Sequence, residues 1–158
     1  LTNATVVAMD ETRRNRLRKG AAGVTYGVTA LVSLLLGSVY LLRTSFMPYH
    51  AEAVSKSWTE LEQPTQTLVS ALMTVAGGGW LTAGVVITVL LIFPFRRGER
   101  WAIYAIPAVV LLLYIPNLWA TLSVLRNTPA TPPWYGNLLA CVSAVVGFVL
   151  YPKPLDTE

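Results

Sequence analysis

Four stretches of this chain carry no Asp, Glu, Lys, Arg or His at all: Gly20–Leu42, Thr67–Phe93, Trp101–Leu125 and Pro133–Tyr151. A soluble surface helix keeps one polar face toward water, and these stretches leave none to keep. The 23 residues of the first reach about 34 Å as a helix, against a hydrocarbon core about 30 Å thick. Hydrocarbon demands that backbone groups be satisfied within the chain, which leaves helices or a closed barrel. The runs are continuously apolar, without the two-residue alternation of barrel strands, so the sequence predicts helices.

Composition agrees. Of 158 residues, 54% are hydrophobic and only 13% charged, and a globule this small has too much surface for so few charges to cover in water. The sequence therefore predicts an all-α, four-helix transmembrane bundle. It divides into a basic N-terminal tail (1–19), the helical domain (20–151, with helices at about 20–42, 67–93, 101–125 and 133–151) and a short C-terminal tail (152–158).

The net charge of +4 and isoelectric point near 9.5 raise the question of nucleic acid. The cations, however, sit at the ends of apolar runs, which is a topological signal and excludes a phosphate-binding face. Nine Lys and Arg fall before the first run, in the Pro94–Arg100 turn and in the C-terminal tail, against three (Arg43, Lys56, Arg126) on the alternate side. The positive-inside rule predicts both termini in the cytoplasm and localisation to a plasma membrane, in the manner of a multi-pass bacterial inner-membrane protein. Arg13–Lys19 followed by an apolar run resembles the start of a signal peptide. The run is too long for one and no A-x-A site follows, so it reads as an uncleaved anchor. Trp101, Tyr104, Trp134, Tyr135 and Tyr151 stand at run ends, at the level indole and phenol rings prefer; Trp119, about 27 Å beyond Trp101 along a helix, falls near the opposite interface.

Small residues recur four apart: Gly23 with Gly27, Ser33 with Gly37, Gly79 with Ala83, Ala140 with Ala144 and Ser143 with Gly147. Such pairs let backbones approach where lipid offers no hydrophobic drive, either inside one bundle or between copies and partner subunits in a homo- or hetero-oligomer. Gly77-Gly78-Gly79-Trp80 lies mid-run, where the indole N–H needs an acceptor. The helix opposite supplies a source, because Pro107 and Pro116 each free a carbonyl one turn earlier. Asn117, beside Tyr114 and Trp119, is an amide within the bilayer and a suspect for ligand contact.

Between the first two runs lies an external loop, Arg43–Gln66. Met47, His50, Val54, Trp58 and Leu61 share one helical face, Glu52, Lys56 and Glu60 another, and Ser57-Trp58-Thr59-Glu60 matches a capping box. The loop reads as one or two amphipathic helices lying on the bundle.

No nucleotide loop, dinucleotide fingerprint, HExxH, G-x-S-x-G or CxxC motif occurs. The lone Cys141 excludes a disulfide framework, and one histidine with scattered glutamates makes no metal set. The leading expectation is non-enzymatic: a membrane-complex subunit or a protein that binds a lipophilic small molecule, a membrane lipid or a quinone. Its bundle would present a pocket near Trp80, Tyr114 and Asn117, covered by the loop bearing His50 and Trp58, with ligand contacts from Trp58, Trp80, Tyr114, Asn117 and Trp119. The competing expectation is a lipid- or isoprenoid-directed enzyme with His50 as acid–base group and Glu52 or Glu60 assisting; a small transporter or channel ranks third, because the runs hold no buried charge.

Overall fold

The computed structural model describes residues 3–152, with side chains from Met9 onward; the C-terminal tail beyond Pro152 lies outside the described residues. The elements are α1 (Asn3–Leu42), α2 (Pro48–Val54), a single 3-10 turn (Trp58–Glu60), α3 (Gln63–Leu90), α4 (Arg100–Asn127) and α5 (Trp134–Leu150). Three helical stretches, Met9–Leu42, Gln63–Phe95 and Arg100–Asn127, are long and apolar enough to cross a membrane, which makes this a multi-pass membrane protein; α5 is apolar but spans only 17 residues.

The first helix differs from expectation. It does not begin at the end of the basic segment but runs through it from Asn3, because Arg, Leu and Lys are good helix formers and nothing between Asp10 and Gly20 breaks a turn. The helix boundaries otherwise fall within a few residues of the apolar runs.

The exterior is apolar to a degree that water would not favour: large aliphatic and aromatic side chains face outward, Leu112 at 77% and Trp119 at 76% exposed. The interior mixes bulky side chains such as Tyr26, Ile87, Ile106 and Tyr114 with small and polar ones, Ala22, Thr29, Ala30, Ser33, Ala140, Ala144 and Asn137. An apolar exterior with small residues at the helix seams suits a solvent of hydrocarbon, in which packing and hydrogen bonds drive association.

Helix α1 packs most extensively against α3, and α4 against α5. The α1–α3 crossing is a backbone approach. A Cβ at Gly37 would lie 2.6 Å from the Leu81 nitrogen, one at Gly77 would lie 3.0 Å from the Leu41 nitrogen, and one at Gly84 would meet Leu34 at 2.8 Å. Gly78 and Gly79, the rest of the glycine run, face open space, as does Gly27. Helix α5 meets α1 near the basic end, where Gly147 lies under the Tyr26 ring and the Tyr26 hydroxyl reaches the Ala144 carbonyl at 3.4 Å. There Arg18 donates to the Leu150 and Val149 carbonyls at 3.1 and 3.2 Å, placing a cation at the negative end of the α5 dipole.

Helix α3 ends in a widened π-helical turn, Leu91–Phe95. Pro94 has no N–H to continue the ladder, and the Glu99 N–H instead reaches back to the Pro94 carbonyl at 3.0 Å. Gly98, at φ +79°, takes the left-handed conformation that lets the chain reverse into α4.

The loop between α1 and α3 is two pieces and not one helix. Ser55 adopts φ +53° and stops α2, and Glu60 then caps the 3-10 turn by accepting from the Ser57 N–H and hydroxyl at 2.6 and 2.8 Å. The expected face of Glu52, Lys56 and Glu60 is broken by that stop, and among the described residues Lys56 pairs with neither carboxylate.

Candidate functional site

Two tight helix pairs, α1/α3 and α4/α5, meet at the basic end and are bridged midway by two contacts. The Trp80 and Tyr114 rings pack edge to face at 4.7 Å between centroids, and the Tyr114 hydroxyl lies 2.9 Å from Ser33 Oγ. Ser33 spends its own proton on the Thr29 carbonyl at 2.9 Å, so Tyr114 is the donor to Ser33 and keeps oxygen lone pairs as acceptors. On the α2 side of this bridge the pairs enclose a cavity of about 580 Å³, partly open to the surroundings. That volume lies in the range of small-molecule sites.

Trp80 and Tyr114 form the floor. The walls are apolar, from Val32 and Leu36 of α1, Val69, Met73 and Ala76 of α3, and Ala120 and Val124 of α4. One wall is different. Asn117 and Thr121, a helical turn apart on α4, line it together with Asn137 of α5, and Asn137 Nδ2 donates to Thr121 Oγ1 at 3.2 Å. Asn117 Nδ2 donates to the Leu113 carbonyl one turn back at 2.8 Å.

The roof is α2 and its flanks: Phe46, Tyr49, His50, Ala53 and Val54, with Leu61 beside them. Phe46 is buried and packs edge-on against Trp58 at 5.2 Å, and the Tyr40 and Tyr49 hydroxyls bond at 2.6 Å. Two further bonds hold the roof down. Glu52 accepts from the Thr131 N–H at 3.4 Å, joining the first loop to the α4–α5 loop, and Gln66 donates to the Trp58 carbonyl at 2.7 Å.

His50 lines the cavity, and its Nδ1 accepts from the Met47 N–H at 3.3 Å. The neutral ring so placed carries its proton on Nε2, a tautomer assigned from that bond. Burial, then the nearby Arg43 charge, holds the imidazole pKa below its usual value. Burial also raises the Tyr49 pKa strongly, reinforced by its bond to Tyr40. Glu60 is held below the usual carboxylate range by the Ser57 N–H first and its hydroxyl second.

Of the residues singled out from sequence, His50, Trp80, Tyr114 and Asn117 meet on this one cavity. Trp58 supports the roof through Phe46 without lining the cavity, and Trp119 faces outward. Glu52 and Glu60 do not join His50: the first is engaged with Thr131, the second with Ser57. Among the described residues no group of three or more His, Cys, Asp and Glu lies close enough to hold a metal ion. The expected acceptor for Trp80 does not appear either, since α4 presents Tyr114 to the indole as a ring and not as a carbonyl. Sequence reasoning missed Tyr40, Tyr49, Thr121 and Asn137. A signal existed for the last two: Thr121 follows Asn117 by four residues, and Asn137 is the only amide in its apolar run. The chain matches no protein-family model, no curated protein and no solved structure.

Proposed function

We propose that this protein is a four-span membrane bundle with both termini in the cytoplasm, and that it binds a lipophilic small molecule in the cavity between its two helix pairs. The observation that carries the reading is the cavity itself. About 580 Å³ of apolar-walled space opens inside a membrane-type bundle, where close packing would ordinarily leave no void larger than a water. Four groups singled out for their chemistry border it, and a roof of aromatic side chains covers it. Helix α5 at 17 residues reaches about 25 Å and completes the fourth crossing with modest local thinning of the bilayer.

Native mass spectrometry from mild detergent or nanodiscs tests this. The wild-type chain is expected to retain a lipid, quinone or similar apolar molecule. Ala76→Trp, which puts an indole into the cavity between its walls and obstructs it, is expected to lose it while the helical circular dichroism is unchanged. A chain that retains nothing in any mild detergent, or an adduct indifferent to Ala76→Trp, defeats the proposal.

The acid–base enzyme reading has His50 on the same cavity in its favour. Against it, Nδ1 is taken up by the Met47 N–H, which leaves Nε2 protonated as a donor, and no carboxylate stands behind Nδ1 to raise the basicity of the ring.

A further inference from the structure

We infer that the cavity selects an uncharged amphiphile, with an apolar chain and a single neutral oxygen head accepting a hydrogen bond from the Trp80 indole N–H. This rests on the reading of the cavity as a ligand site and names the class of ligand it takes.

The first argument is the absence of charge around the space. Among the residues that line it there is no Asp, Glu, Lys or Arg, and the one titratable cation, His50, has its pKa lowered toward the neutral form. The cations nearest in sequence, Arg43, Lys56 and Arg126, are exposed and stand outside the lining. A phosphate or carboxylate carried into this space would lose hydration with no ion pair in return, and a buried unpaired ion is far more costly than a buried hydroxyl or carbonyl.

The second argument is the hydrogen-bond inventory. Most polar groups on the cavity are engaged with the protein through at least one atom: Tyr40 with Tyr49, His50 Nδ1 with Met47, Asn117 with Leu113, Asn137 with Thr121. The His50 Nε2–H remains as a donor at the roof, and the floor has one of its own. The Trp80 indole N–H has no protein acceptor among the described residues, yet it is not sealed away from access, since no fully buried side-chain polar atom lacks a partner. Trp80 borders the cavity. Beside it the Tyr114 hydroxyl is buried against Ser33 and engaged there, which leaves the indole N–H as the donor at the floor. A hydroxyl or a carbonyl head can take that proton. A donor in apolar surroundings gains most from an oxygen that carries no charge to desolvate.

The test compares three probes that share one sixteen-carbon chain: hexadecane, 1-hexadecanol and palmitate, the last at pH 8 to keep it ionised. Each is added to the full-length protein in nanodiscs, and retention is read by native mass spectrometry. The amount lost in Ala76→Trp defines cavity binding for each probe. Hexadecanol is expected to exceed palmitate by about tenfold or more. Trp80→Phe, which keeps a ring against Tyr114, is expected to lower hexadecanol retention by about fivefold, the worth of one hydrogen bond, and to leave hexadecane unchanged. Palmitate retained in the cavity as well as hexadecanol overturns the selection for neutral heads and leaves the ligand site standing. Equal losses of hexadecane and hexadecanol in Trp80→Phe overturn the role of the indole N–H. If no probe shows retention sensitive to Ala76→Trp, the ligand site itself fails.

Discussion

The imidazole of His50 sits where neighbours set its protonation, between burial on one side and the Arg43 charge on the other. Its folded-state pKa lies below the usual 6.5, so on acidification the unfolded loop takes up the proton first. Stability from this group is full above about pH 6.5 and is lost as pH falls from there through the lower folded value. The amide protection of α2 should accordingly be flat from pH 8 to 6.5 and decline toward pH 5, by hydrogen exchange corrected for intrinsic rates. His50→Gln keeps an acceptor for the Met47 N–H and should abolish that slope; a slope that persists assigns the titration elsewhere. At the other end of the cavity, Tyr114→Phe removes the donor to Ser33 and should cost about 0.5–1.5 kcal/mol, measured by denaturant titration in mixed micelles. His50 could be singled out from sequence because it is the only histidine. Nothing in the sequence indicates that its Nδ1 turns inward to the Met47 N–H, since that follows from how α2 starts.

At the scale of helices, the glycine run separates two kinds of glycine that look identical in sequence. Gly77 and Gly37 are pressed against the opposing backbone, whereas Gly78 and Gly79 face open space. Gly37→Ala should therefore destabilise by about 1–3 kcal/mol through forced separation of α1 and α3. Gly78→Ala should be neutral or stabilising by up to about 1 kcal/mol through helix propensity. Equal effects from the two, in thermal denaturation followed by circular dichroism, would contradict this crossing. Periodicity pointed to close packing of small residues, but which of three consecutive glycines makes it depends on the rotation of α3 about its own axis. The partner helix fixes that rotation. The same holds for Arg18. Its place in the basic segment is plain from sequence, but its grip on the end of α5 exists because α1 stays helical through that segment. Arg18→Ala should loosen the last turn of α5 by about 0.3–1 kcal/mol, visible as faster amide exchange at Val149–Tyr151.

For the whole molecule, the apolar exterior points to a bilayer as solvent, and the charge asymmetry is the ground for the proposed orientation of the chain within it. In a Cys141→Ser background, a cysteine at Ser57 should react with a membrane-impermeant maleimide applied to intact cells, and one at Arg97 should react only after permeabilisation. The opposite pattern reverses the topology, and labelling of both from outside removes the crossing between them. The number, length and order of the helices could be read from the sequence because hydrocarbon tolerates no charge over about 20 residues, a constraint that acts locally along the chain. A pocket near Trp80, Tyr114 and Asn117 under the first loop could be anticipated from sequence; the size of the cavity and its walls could not. The cavity arises because α1/α3 and α4/α5 pair closely while the two pairs part beyond the Trp80–Tyr114 bridge, and because a loop of two short helical pieces folds over the gap. Those are distances between segments dozens of residues apart, set by which small side chains meet across each seam, and only the packed tertiary structure decides them.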